Sequence, residues 1–352
     1  MTSDHEQNSP ESIISPPEGC GDEDLLRLID LCPFLASEKS RYDDVAVLSI
    51  LRRNPRAACL RRPYRCGIGN GPDGAHPLAL VVALGGSLEV VRRMVDSCPS
   101  ALGMRLGGRR NVLHYAIAEG VDVSVISYLT SRRPALAIEE DSFGAIPLHL
   151  ASTYCPSSSS SSSVIVHLLS LNPDAAGALD RKSQTPLHRA CMSRASLDDV
   201  LALIEACPDA LFLDDWLGNR PLEYAESMHQ RLSEPIPEVI EVLGMAEEIL
   251  GAKEEDDDDD DDDDDASGDE VGGRRCRRVL GGARKDRTRR ILAHFVDIRW
   301  RGGVRLAFAR NPDLASILDL PPGVFPRLLC LLGTEGVYSV LVRCTDVVFG
   351  FA

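Results

Sequence analysis

From residue 76 onward, apolar residues fall into two alternating kinds of short run. One kind opens on a small recurring element: HPLALVV from His76, NVLHYAI from Asn111, IPLHLAS from Ile146, TPLHRAC from Thr185 and RPLEYAE from Arg220. The other kind carries paired aliphatics: LEVVRRMV, VSVISYL, VIVHLL, DDVLALI and PEVIEVL. Both have helical rather than alternating spacing, so the pattern predicts pairs of short helices. The leucines that anchor the first run are Leu78, Leu113, Leu148, Leu187 and Leu222, separated by 35, 35, 39 and 35 residues. A fixed period of this size is the mark of a stacked array, in which no unit buries its apolar face alone.

A second marker keeps the same period. CPSAL, RPALA, NPDAAGA and CPDAL close successive units, and their prolines Pro99, Pro134, Pro173 and Pro208 are spaced 35, 39 and 35 residues apart. Both markers drift by the same four residues in the unit that holds CPSSSSSSS, so the serine run is an insertion inside one unit. Proline at the first helical position loses no needed N–H, and Thr185 and Asn111 just ahead of it are good caps. The proline after the second run stops that helix, because the residue before proline avoids the helical region. An extended piece then leads to D-x-x-G, at Asp141–Gly144 and Asp215–Gly218, which predicts a tight turn. Upstream, DEDLLRLIDLCPFLA and DDVAVLSILRRNPRAAC read as one degenerate unit of the same plan, with a longer loop after it.

The T-P-L-H of Thr185–His188 and its relatives resemble the ankyrin repeat, which carries T-P-L-H-x-A at about 33 residues per unit. The resemblance covers roughly residues 73–250. Only Thr185–His188 has the full signature; Ala79 and Glu223 stand where the histidine belongs, Val112 replaces the proline, and P-x-A-L replaces the usual loop motif after the second helix. It implies an all-α chain: an ankyrin-type helical solenoid with a disordered acidic linker and a small helical C-terminal segment. The expected divisions are a disordered tail over 1–21, a capping repeat over 22–72, the solenoid over 73–252, an acidic then basic linker over 253–283, and helices over 284–352.

In such a repeat His114, His149 and His188 occupy one scaffold position, where the imidazole bonds the helix start and nearby loop backbone. Cys191, at an alanine position, is packing. Ankyrin arrays bind partners through turn tips and the concave face of the first helices. Register places tips at Gly107-Gly108 with Arg109 and Arg110 beside them, at Ser142-Phe143, at Arg181-Lys182 and at Trp216-Leu217. The candidate partner-binding residues are Arg109, Arg110, Phe143, Tyr154, Arg181, Lys182, Met192 and Trp216, the tip aromatics either exposed or folded back on neighbouring loops.

Charge changes the picture at the far end. The net charge of −16 over 352 residues divides unevenly. Residues 1–252 hold 22 Lys/Arg against 34 Asp/Glu, 253–270 hold one against 14, and 271–352 hold 15 against 6. The run KEEDDDDDDDDDDASGDE repels itself and buries nothing, so it predicts a disordered linker, or a lure for basic proteins such as histones. RRCRRVLGGARKDRTRR follows, with nine cations in seventeen residues and no aromatic for base stacking. Import signal, nucleic-acid contact and pairing with the aspartates all remain open. A chromatin- or nucleic-acid-associated role through 256–290 is therefore one alternative function. The C-terminal LPPGVFPRLLCLLG resembles the opening of an F-box, which gives a second alternative, a ubiquitin-ligase adaptor.

Enzyme signatures are missing. Gly69–Gly74 matches G-x-G-x-x-G, but Pro72 sits inside it and no strand is predicted ahead of it. There is no G-x-S-x-G, Walker A, H-E-x-x-H or zinc-ligand spacing. Eleven cysteines without a C-x-x-C pair, and a polar N-terminus, point to reduced thiols in a cytoplasmic or nuclear protein. The leading expectation is a non-enzymatic protein-interaction scaffold with no cofactor, metal, small-molecule substrate or membrane partner.

Overall fold

The computed structural model describes residues 22–33, 35–62, 74, 76–154, 161–193, 195–231, 237–251 and 287–310. The tail 1–21, the linker 253–283 and the C-terminal segment beyond 310 lie outside them. The described residues are helical, and the helices come in two compact units, 1–104 and 105–352.

In the first unit α1 (Asp22–Ile29), a single turn α2 (Ala36–Lys39) and α3 (Asp44–Arg53) precede α4 (Pro77–Ala83) and α5 (Leu88–Ser97). α1 packs on α4, and α3 on α5, so two helical layers form. Leu25, Ile29, Val47, Leu51, Leu80, Val91 and Met94 fill the space between them. All seven residues of α4 are buried, as expected of a helix apolar on every side.

The second unit repeats this plan with α6 (Val112–Ala118) and α7 (Val123–Arg132), α8 (Pro147–Tyr154) and α9 (Ser161–Leu171), α10 (Pro186–Met192) and α11 (Leu197–Ala206), and α12 (Pro221–Arg231) and α13 (Pro237–Gly251). First helices touch first helices, α6 to α8 to α10 to α12, while α7, α9, α11 and α13 make the second layer. Helices of seven to ten residues are too short to persist alone, so packing rather than propensity holds them. Asn111 and Thr185 cap α6 and α10 through their side-chain oxygens, with the histidine three residues on closing the box. α9 begins at Ser161, so the last three serines of the run are its first turn.

The P-x-A-L closings are 3₁₀ turns: Pro99–Gly103 in the first unit, and Pro134–Ala137, Pro173–Gly177 and Pro208–Phe212 in the second. The residue before each proline leaves the helical region, for example Cys207 at φ −142° and ψ 86°. The second and third residues after the proline are buried each time: Ala101 and Leu102, Leu136 and Ala137, Ala175 and Ala176, Ala210 and Leu211. The motif is a small apolar wedge, which explains why alanine recurs there.

Two further helices, α14 (287–297) and α15 (Arg301–Arg310), complete the second unit, with α15 resting on α11 and α13. Phe295 and Trp300 meet edge to face at 4.7 Å. Gly303 is required beside them, because a Cβ there would lie 2.1 Å from the buried indole.

Candidate functional site

The three repeat histidines make one arrangement three times. Nδ1 accepts the backbone N–H of the capping residue: Asn111 to His114 at 3.2 Å, Ile146 to His149 at 3.3 Å and Thr185 to His188 at 3.1 Å. Nε2 faces a carbonyl in the next unit: Ala145 at 3.1 Å, Gln184 at 3.0 Å and Asn219 at 3.2 Å. A carbonyl only accepts, so Nε2 carries the proton and the ring is neutral. Burial holds all three imidazoles below the ordinary range, His149 down to about 4, against a smaller upward pull from those carbonyls. Each ring braces its own helix start against its neighbour's loop. At the next equivalent place Glu223 does the inner half of this work, its carboxylate accepting the Arg220 N–H at 3.0 Å.

The carbonyls belong to turns that are also built alike. The Oδ1 of Asp141 accepts from Phe143 and Ala145 at 2.7 and 3.0 Å. Asp180 accepts from Lys182 and Gln184 at 2.7 and 3.0 Å, and Asp215 from Leu217 and Asn219 at 2.9 and 3.1 Å. The second oxygens are engaged too: Asp141 with Arg110 at 3.5 Å, Asp180 with Arg189, and Asp215 with the Tyr224 hydroxyl at 2.6 Å. Burial raises the Asp215 carboxyl, but the Tyr224 hydroxyl and the turn N–H groups outweigh it and bring it to about 2. The fourth turn residue is left-handed in each case: Gly144 at φ 72°, Ser183 at 56° and Gly218 at 79°. Gly144 has a second reason, since a Cβ would stand 3.1 Å from the Arg181 nitrogen.

Successive tips are joined through backbone. Ser142 donates to the Gly108 carbonyl at 2.6 Å, Arg181 to Phe143 at 2.9 Å and Trp216 to Lys182 at 3.0 Å. This ladder sets Phe143, Arg181, Lys182, Trp216 and Leu217 along one edge of the second unit. Phe143, Trp216 and Leu217 are 61%, 64% and 62% exposed, so the tip aromatics stand out rather than fold back. Arg109 is exposed at φ 58°, whereas Arg110 is half-buried against Asp141 and belongs to the turn. Tyr154 and Met192 are exposed at the C-terminal ends of α8 and α10. Seven or eight residues of helix rise separate them from the tips by about 10 Å, so they do not join that row.

The sequence reading did not single out Asp180 or Glu223 for these roles. Ser183 in place of glycine hid the first, and only its register, 39 residues after Asp141 and 35 before Asp215 like the leucine and proline markers, could have revealed it. Cys191 is buried, which pushes its thiol up to about 12 and leaves it a packing group. Of the G-x-G-x-x-G loop only Gly74 is described. Among the described residues no group of three His, Cys, Asp or Glu could hold a metal ion, and no helix is long and apolar enough to cross a membrane. No protein-family model matches the chain, and no curated protein is significantly similar to it.

Proposed function

We propose that the chain is an ankyrin-type repeat protein, a non-enzymatic scaffold that holds another protein on the turn tips of residues 107–217. The observation that carries this reading is the backbone ladder between tips: Ser142 to Gly108, Arg181 to Phe143 and Trp216 to Lys182. It sets exposed aromatic and cationic residues along a backbone-bonded edge, and backbone already ordered loses little freedom on binding. Trp, Tyr and Arg are the residue types that dominate interface energies. The neutral histidines support the same reading, since both ring nitrogens of each are already engaged by backbone groups. Tyr154 and Met192 extend the candidate surface along the first helices.

The test is affinity purification from cells with wild-type protein beside a Phe143→Ala/Trp216→Ala variant. Both side chains are exposed, so the fold should be unaffected, which circular dichroism checks. Partners present with wild type and lost with the variant support the reading. Identical partner sets would remove the tips as the binding surface.

A further inference from the structure

We propose that the row of tips takes an extended acidic segment of a partner protein, its acids flanked by apolar side chains roughly six residues apart. This rests on the tips being the interaction surface and adds the chemistry of what they hold. The sign comes from which charges are spent. Arg109, Arg181 and Lys182 are exposed and have no carboxylate partner among the described residues. The turn aspartates, by contrast, face inward with both oxygens engaged. Asp214, beside the last tip, is paired with Arg220 at 3.2 Å, which leaves Glu140 as the exposed carboxylate adjoining the turns. Along most of its length the edge is thus cationic, on a body whose residues 1–252 carry more acids than bases.

The order along the ladder sets the pattern of the ligand. Arg109 stands at the first tip, Phe143 at the second, Arg181 and Lys182 at the third, and Trp216 with Leu217 at the fourth. Packed helices lie about 8–10 Å apart, so the apolar pair and Phe143, two units apart, are separated by roughly 16–20 Å. An extended chain rises about 3.3 Å per residue and covers that span in five or six residues. A bound segment therefore places one apolar side chain on Phe143, acids on Arg181 and Lys182, and a second apolar side chain on Trp216 and Leu217. A further acid beyond the first apolar residue meets Arg109. The chain's own aspartate run offers no apolar side chains to cover Phe143 and Trp216. A nucleic acid strand would meet few cations free of a carboxylate on a body with more acids than bases, and its phosphates gain affinity by the number neutralised.

Peptides selected from a random dodecapeptide display library on the full chain, with counter-selection on an Arg181→Glu/Lys182→Glu variant, test the proposal. Synthetic copies are then titrated by tryptophan fluorescence. Trp216 reports on the site, because the second tryptophan, Trp300, is only 4% exposed. The expected result is acid-rich sequences with aromatic or aliphatic residues five or six apart. They should bind at least tenfold more weakly to the charge-reversed variant and to Phe143→Ala, and a Trp300→Phe background should keep the signal. Enrichment of neutral or basic peptides, or no enrichment, overturns the proposal. So does equal affinity for ten aspartates alone, or an oligouridylate whose binding is lost in the charge-reversed variant. If Phe143→Ala/Trp216→Ala still sheds cellular partners while the acidic selection fails, the surface stands and its assigned ligand chemistry is wrong.

Discussion

Histidine does two different jobs in the two compact units. In residues 105–251 three histidines, His114, His149 and His188, sit three places after the cap, and each of these rings ties one helix start to the next unit's loop. In residues 22–104 that place is Ala79, and the imidazole stands at the cap itself, as His76. There its Nε2 accepts from Arg61 at 3.1 Å, and its Nδ1 lies 4.0 Å from the Cys98 sulfur. Both environments lower the ring's affinity for a proton, chiefly through burial. Yet only the first is a joint that recurs, because only there does each nitrogen meet backbone. Backbone is always present, whatever the neighbouring residue, whereas Arg61 and Cys98 are particular side chains. A bond that must be made at every unit is best made to groups that every unit has.

The comparison can be broken hardest at the central joint. His149→Ala leaves the Ile146 N–H buried and unpaired, takes from the Gln184 carbonyl one of its two donors (the Asp180 N–H stays) and opens a cavity, so it should cost about 3 kcal/mol in urea unfolding. Glu223→Ala, at the exposed end of the same series, should cost under ~1 kcal/mol. Equal losses would mean that the joints are not what holds the units together.

Acid sharpens the same point. His149 binds a proton more weakly folded, at about 4, than unfolded, at about 6.5, so the unfolded chain takes up more protons between those values. Stability should be complete above pH 6.5 and fall by about 3 kcal/mol toward pH 4 for this ring alone, with His114 and His188 adding in the same direction. Denaturation midpoints across pH 4–7 for wild type and His149→Gln give the check: the slope should flatten in the variant.

A smaller effect separates the repeated body from the helices that follow it. Gly303→Ala drives a methyl group into the buried Trp300 ring and should cost about 2 kcal/mol. It should also shift Trp300 emission to the red while leaving the turn-tip residues untouched. The smallest expected effect is a gain. Ser183 holds φ 56° where the two other aspartate turns have Gly144 and Gly218, so Ser183→Gly should raise stability by about 0.5–1 kcal/mol in the same assay.

Much of this was legible in the sequence, for a physical reason. Helix pairs, caps and stops depend on local chemistry, and Pro186, Thr185 and Leu187 announce theirs directly. The tip positions were legible as well, since Asp141–Gly144 and Asp215–Gly218 carry their turn chemistry on the surface of the sequence. What was hidden were relations across units. Nothing in the letters shows that Arg110 is spent on Asp141, or that Arg181 donates to Phe143. The 3₁₀ geometry of P-x-A-L was hidden too, because alanine there is chosen by the neighbours it wedges between.

The insertion between Tyr154 and Ser161 has a practical consequence. That unit is four residues longer than the others, yet its imidazole joint, 3.0 Å from His149 to Gln184, is as short as the one before it, and its tip bond from Arg181 to Phe143 is as good as those on either side. The extra residues fall in the sequence between the end of α8 and the start of α9, while the joint and the tip bond described for this unit are made by residues elsewhere in the chain. That stretch is where a fluorophore, an epitope or a whole foreign domain can be spliced in with the rest of the array left in register.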